Sequence, residues 1–280
     1  MLAAINAWTF PADLSPAEQL AAAAGAGFDG IELTVAGEGA LRFDSPLAEC
    51  RALARRAQDL SLHIVSLATA EFWRTNYAAP DEATRRRAAD LTLAMLDRAA
   101  ALSARAILVL PAVVGEYAEP CPRVAYADAL QRSLEALCRL RHEAESRGVS
   151  IAIENVWNRF LLSPVEAADF IDRVNSPYVG WYFDIGNVLA FGYPTDWIAT
   201  LGARIVCVHV KDYDLGRPGL GGFCGLGQGS VDWPAVIAAL RRVGYDGPLT
   251  YEGSEEPHHV CRLLRAIIDG RALPRQEHPR

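Results

Sequence analysis

The stretch Val149-Ser150-Ile151-Ala152-Ile153-Glu154-Asn155-Val156, the helix-start signal Ser163-Pro164-Val165-Glu166 and the run Tyr178-Val179-Gly180-Trp181-Tyr182-Phe183-Asp184-Ile185 read in order as strand, helix, strand. The outer runs are short, apolar and rich in β-branched and aromatic residues, and the segment between them opens on a capping signal with proline at its first helical position. The same unit recurs on both sides. Further runs cover Leu2–Trp8, Asp29–Val35, Leu60–Thr69, Ala106–Ala112, Arg204–Lys211 and Pro248–Gly253, which makes eight, each followed by a helical pattern. Ser15-Pro16 with Glu18 repeats the capping box, Ser45-Pro46 and Asp232 are expected N-caps, and Gly148 and Gly244 are expected to end helices. Strand–helix alternation forces parallel pairing through crossovers, and eight units in one chain fit a closed barrel better than an open sheet. The expected fold is therefore α/β, a single (β/α)8 barrel over residues 1–270 with a polar C-terminal tail at 271–280.

Of 280 residues, 51% are apolar, enough for one large core. Twenty-seven basic side chains stand against 34 acidic ones, and the resulting charge of −7 opposes any reading that depends on attraction to phosphate backbones, so no nucleic acid partner is expected. The six cysteines show no CxxC spacing and read as reduced, mostly buried thiols. No run is long and apolar enough for a membrane span and no signal peptide opens the chain, so the expected setting is the cytoplasm. The apolar helix faces and long loops leave room for a homodimer or homotetramer.

In a barrel of this kind, chemistry gathers where strands end and the following loops begin. Four consecutive strands each offer one ligand type there: Glu154, Asp184, His209 and Glu252. Alternation along a strand puts Ala152, Tyr182, Cys207 and Thr250 on the same side as these four, and Ile153, Phe183, Val208 and Tyr251 on the other. All four then point into the barrel mouth. One carboxylate at a strand end is as readily an arginine partner; three crowded together repel one another, and a divalent cation supplies the missing charge. Three oxygens and one imidazole favour Mn²⁺, with Mg²⁺, Co²⁺ or Zn²⁺ as alternatives. Lys211 is the only lysine in the chain and lies two residues beyond His209, so its ammonium faces the same site, to bind a substrate oxygen or to pair with a nearby carboxylate. Asp212 would fix a ligand or that lysine. Trp157 and Tyr182 offer faces to a sugar ring, Trp181 and Trp197 read as core, His63 lies in the third run as a further candidate, and Arg217 adds one in the long loop after the seventh. The glycine-rich stretch Gly219–Gly229 lacks a P-loop pattern and reads as a flexible loop.

The strings Ile153-Glu154-Asn155-Val156-Trp157-Asn158, Phe183-Asp184-Ile185-Gly186-Asn187 and His209-Val210-Lys211-Asp212 resemble the sugar-phosphate isomerase/epimerase family of xylose-isomerase-like TIM barrels. So do Gly229-Ser230-Val231-Asp232-Trp233 and Gly244-Tyr245-Asp246-Gly247 ahead of Glu252. The likeness is greatest to the hexulose-6-phosphate isomerase and L-ribulose-5-phosphate or L-xylulose-5-phosphate 3-epimerase branch. It implies that Glu154, Asp184, His209 and Glu252 hold the metal, that Glu154 and Glu252 also move protons, and that Lys211 and Asn187 contact a sugar or sugar phosphate. The implied reaction is isomerisation or epimerisation of a ketose or ketose phosphate through an enediolate. A metal-dependent dehydratase of a cyclic polyol ketone or dehydroshikimate-like acid would use the same groups. An endonuclease of this fold needs a histidine-rich site and a basic face, which six histidines and a charge of −7 oppose.

Overall fold

A computed structural model describes residues 1–115 and 122–271. Cys121, most of the loop after the fourth strand and all but the first residue of the expected tail at 271–280 lie outside the described residues. The strands are β1 (Leu2–Asn6), β2 (Gly30–Thr34), β3 (His63–Ala68), β4 (Ala106–Val109), β5 (Ser150–Glu154), β6 (Val179–Asp184), β7 (Ile205–Val210), β8 (Asp212–Tyr213), β9 (Phe223–Cys224) and β10 (Pro248–Tyr251). The helices are α1 (Pro16–Gly25), α2 (Leu47–Asp59), α3 (Glu82–Leu102), α4 (Tyr126–Arg147), α5 (Pro164–Val174), α6 (Ile185–Leu189), α7 (Pro194–Leu201), α8 (Trp233–Arg242) and α9 (Pro257–Ile268). Eight strands close in the order β1-β10-β7-β6-β5-β4-β3-β2, and β8 and β9 form a separate antiparallel pair in the loop after β7. The fold is the expected (β/α)8 barrel, every barrel pairing parallel.

Strand alternation works as the pattern demands. Trp181 and Phe183 turn outward onto α7, with ring centroids 6.1 and 6.4 Å from Trp197, while Tyr182 between them turns inward and reaches Ser66 on β3. Register then sets the site: Asp184 lies opposite His209, and His209 opposite Thr250. On the far side of the barrel Glu32 lies level with Asn6 and Ser66, so the innermost layer below the mouth is polar.

Several local expectations are corrected. The third strand begins at His63 rather than Leu60, because Leu60 caps α2 and Ser61 adopts φ 54° to turn the chain. The first strand stops at Asn6, whose side chain accepts from Trp8 N–H at 2.7 Å and starts a single 3₁₀ turn. Ser15 and Glu18 form the full capping box and Asp232 caps α8. Ser163 caps α5, but Glu166 accepts instead from Leu162 N–H and the Tyr126 hydroxyl, so that box is half made. Pro46, not Ser45, is the N-cap of α2; the Ser45 hydroxyl accepts from Arg42 N–H in the preceding turn.

Candidate metal centre and its cavity

Three strand ends and one residue past a strand deliver the four sequence candidates to one point. Glu154 ends β5, Asp184 ends β6, His209 is next to last in β7, and Glu252 follows β10. One ligand atom from each lies within 4.8 Å of all the others. His209 Nδ1 stands 2.9 Å from Glu154 Oε1, 3.5 Å from Glu252 Oε2 and 3.9 Å from Asp184 Oδ2. Two ligands opposed across a divalent ion are about 4.2 Å apart, so small side-chain shifts fit this ring to an ion.

The donor set passes a second test. Asp184 caps α6, its Oδ1 accepting from Asn187 N–H at 2.7 Å, which leaves Oδ2 turned to the cluster. That oxygen is buried and makes no hydrogen bond; Lys211 Nζ lies 2.9 Å away as an ion pair outside hydrogen-bond alignment. An unsatisfied buried carboxylate oxygen facing three other ligand atoms is what a bound cation would satisfy.

Asn155 locks this geometry. Its amide donates to the Asp184 carbonyl at 2.8 Å, and its oxygen accepts from Asp184 N–H at 3.0 Å and Trp181 Nε1 at 2.9 Å. Its own carbonyl accepts from Asn187 Nδ2 at 3.0 Å. Gly186 is needed for a different reason: a Cβ there would meet Lys211 Cγ at 2.6 Å and the Lys211 carbonyl at 2.7 Å. The lysine crosses α6 where only glycine leaves room.

Charge in the cluster is unevenly shared. Burial pushes the Glu154 carboxyl up to about 7, only partly opposed by its hydrogen bond to His209. Burial likewise raises Asp184 against the pull of Lys211. At Glu252 the cost of burial is outweighed by Lys211, 2.6 Å away, and by His209, which hold the carboxyl down at about 2. Burial alone would lower His209 and Lys211, but the surrounding carboxylates raise both.

The cluster opens into a cavity of about 480 Å³, within the size range of small-molecule sites. Glu154 and Glu252 line its base together with Lys211 and Asn187, while Trp8, Trp73, Leu110, Trp157 and Phe223 give it apolar walls and Arg74 lies among them. Trp157 is fixed by Nε1 donating to the Asn187 carbonyl at 3.0 Å and by Phe223, whose ring centroid is 5.1 Å away. Lys211 Nζ stands 5.3 Å from the same Phe223 ring.

Other candidates fall elsewhere. His63 is exposed at the first residue of β3, the opposite end of the barrel from the cluster, because the strand starts later than its apolar run. Arg217 is exposed in a turn, paired with Asp214 at 3.4 Å, and does not line the cavity. Tyr182 is fully buried beneath His209, ring centroids 4.2 Å apart, and offers no face to a ligand. Asp212 does not touch Lys211; it accepts from Gly227 N–H at 2.9 Å, Trp233 Nε1 at 3.1 Å and Val231 N–H at 3.3 Å. It therefore organises the glycine-rich loop, which with β8 and β9 carries Phe223 to the cavity.

Two contributors carry no mark of their role in the sequence. Trp8 closes the first apolar run, yet the 3₁₀ turn places it on the cavity wall. Glu32 is fully buried on β2; its Oε1 lies 2.7 Å from His209 Nε2 and accepts from Asn6 Nδ2 at 2.5 Å, and its Oε2 accepts from Ser66 Oγ at 2.7 Å. A glutamate in an apolar run two strands away from the ligand set was visible; its register with His209 was not.

A closed parallel barrel whose mouth gathers three carboxylates, an imidazole and a lysine around an ion-sized space belongs, as a class, to the (β/α)8 proteins with a buried acidic and histidine metal-site cluster. The chain is a member of the xylose isomerase-like TIM barrel family, whose model matches residues 20–270. It is 26% identical over 239 residues to the L-ribulose-5-phosphate 3-epimerase UlaE of Salmonella paratyphi C (strain RKS4594), covering 84% of this chain and 81% of that one. Its fold is shared with D-psicose 3-epimerase from Clostridium cellulolyticum H10, solved with D-tagatose, at a TM-score of 0.77 and 17% identity over 96% of this chain and 98% of that one. The IolI protein, solved with a zinc atom, matches at a TM-score of 0.77 and 19% identity, covering 96% and 99% of the two chains.

Proposed function

We propose that this protein is a divalent-metal-dependent isomerase or epimerase of a ketose or ketose phosphate. The observation that carries the reading is that Glu154 and Glu252 both belong to the ion-sized cluster and both line the cavity into which it opens. Glu154, Asp184, His209 and Glu252 would hold the ion, with Mn²⁺ favoured by three oxygen donors and one nitrogen. When bound, a divalent ion there polarises a carbonyl and makes the neighbouring C–H more acidic.

The chain's own groups do the rest. One of Glu154 and Glu252 takes the proton from the carbon beside the carbonyl. The other returns a proton to the opposite face of that carbon in an epimerisation, or a proton goes to the adjacent carbon in an isomerisation. Placed acid–base groups of this kind contribute roughly 10²–10⁴-fold. Lys211 holds Glu252 ionised and presents an ammonium to a substrate oxygen, and Trp157 and Phe223 exclude water from one wall. Likeness to the ketose epimerases supports the substrate class.

The test is exchange. Metal-loaded protein incubated in D₂O with ketoses and ketose phosphates should place deuterium at the carbon beside the carbonyl of one of them, read by NMR. Glu252→Gln should abolish exchange while ligand binding persists. No exchange with any member under any of the four metals defeats the proposal, and growth of an enone absorbance in its place identifies a dehydratase.

A further inference from the structure

We propose that Glu32 is a positioning residue for the metal centre: it takes the Nε2 proton of His209 into a hydrogen bond and thereby aims the Nδ1 lone pair at the site. The inference rests on the reading of the cluster as a metal centre and adds a residue from the opposite side of the barrel to it.

The two nitrogens of His209 face different worlds. Nδ1 looks to the mouth and its three carboxylates; Nε2 looks into the barrel, where Glu32 Oε1 lies at 2.7 Å. A nitrogen that binds a cation must be free of a proton, so the proton of the neutral ring belongs on Nε2, and an acceptor there fixes both tautomer and ring orientation. Glu32 is built to be that acceptor. Oε2 accepts from Ser66 Oγ at 2.7 Å, Oε1 accepts from Asn6 Nδ2 at 2.5 Å, and the Tyr182 hydroxyl supports Ser66 at 3.2 Å. The Tyr182 ring packs against the imidazole at a tilt of 45° with centroids 4.2 Å apart, which further limits the freedom of the ring.

The cost of the arrangement argues for its use. A fully buried carboxylate is expensive unless it is paired, and the charged partner of Glu32 among the described residues is His209. An apolar residue would pack this layer at lower cost. A carboxylate here serves as the acceptor for Nε2–H of an imidazole whose other nitrogen faces the cluster.

Binding of Co²⁺ to the full chain decides it, by competition with a fluorescent chelator and by the Co²⁺ d–d absorption. Glu32→Ala should weaken Co²⁺ binding by about 10–100-fold and change the absorption. Glu32→Gln should recover most of the loss, since its amide oxygen still accepts from Nε2–H while its NH₂ donates to the Ser66 hydroxyl. Ser66→Ala, which trims the support of Glu32 but spares its contact with His209, should cost less than about threefold, below any outer partner that touches a ligand directly. Binding by Glu32→Ala as tight as that of the unsubstituted protein, or equal losses in all three variants, overturns the proposal. Should Glu32→Ala fail to fold, ¹⁵N-histidine NMR of the unsubstituted, Zn²⁺-loaded protein decides: a proton on Nε2 of His209 with the ion on Nδ1 supports the inference, and the reverse assignment overturns it. No Co²⁺ binding by the unsubstituted protein overturns the metal centre itself, a result distinct from tight binding that ignores Glu32.

Discussion

The two halves of the barrel contribute in different ways to one site. From β5 onward, four successive barrel strands each place one member of the cluster at or beside their C-terminal end, and Lys211 and Asn187 follow in the adjoining segments. The half from β1 to β4 contributes none of the four. It supplies Trp8, Trp73, Arg74 and Leu110 to the cavity walls and Glu32 beneath the histidine. The difference teaches that a symmetrical scaffold carries an unsymmetrical division of labour: one side concentrates carboxylates around an imidazole and a lysine, and the other shapes the space and sets Glu32 against the imidazole.

The largest expected effect lies in the later half. Asp184→Ala removes a proposed ligand together with the cap of α6 and a carboxylate partner of Lys211. Metal affinity should fall by more than the roughly 10–100-fold typical of an outer-sphere partner, and turnover should vanish with it. Tight metal binding by this variant, measured by calorimetry, would break the division at its strongest point.

Next in size is a pH effect. Glu154 rises from 4.5 to about 7 on folding, so between those values the metal-free folded state holds a proton that the unfolded chain has lost. A raised carboxyl costs stability once it must ionise: the metal-free protein should grow less stable as pH climbs through that window. His209, also raised, acts in the same sense, because the stability it gains is full below its unfolded value and fades as pH rises. Glu252, held at about 2, loses its contribution only as pH falls well below 4.5 and leaves the window clear. Metal binding must expel these protons, so the rise in melting temperature produced by Mn²⁺ should grow between about pH 5 and 8. A gain that is flat with pH would place the titrating groups outside the centre.

The halves also differ in how far the sequence disclosed them. The later strands carry one polar residue each at an apolar end, and strand parity with fold type is enough to bring Glu154, Asp184, His209 and Glu252 together. The earlier half has no such marker. Glu32 sits mid-strand and gains meaning only from the closure that brings β2 level with Asn6 and Ser66 and across from His209, a relation between strands far apart in sequence. Trp8 was hidden by the end of β1, where a side-chain cap from Asn6 turns the chain two residues earlier than its apolar run indicates. His63 misled for the matching reason: a run marks a strand but not which end of it a residue occupies. Asp212 could be seen as important, but its partners come from the folded loop around it and not from the lysine beside it in sequence.

The smallest expected effect sharpens the contrast most. Trp8 is 46% exposed at the cavity rim and Arg74 lines the wall near it. If the early half shapes binding without touching the proton transfers, Trp8→Ala should raise KM several-fold, about 1 kcal/mol of lost aromatic contact, and leave kcat within about twofold. Arg74→Ala separates the two substrate classes. Loss of a guanidinium should raise KM for a ketose phosphate far more than for the same ketose without phosphate, since a dianion forfeits a charge-assisted hydrogen bond and a hydroxyl does not. An equal change for both would assign Arg74 to holding the wall and point to the free sugar. A fall in kcat alone, for either variant, would mean that the early half enters the chemical step and that the division between the halves does not hold.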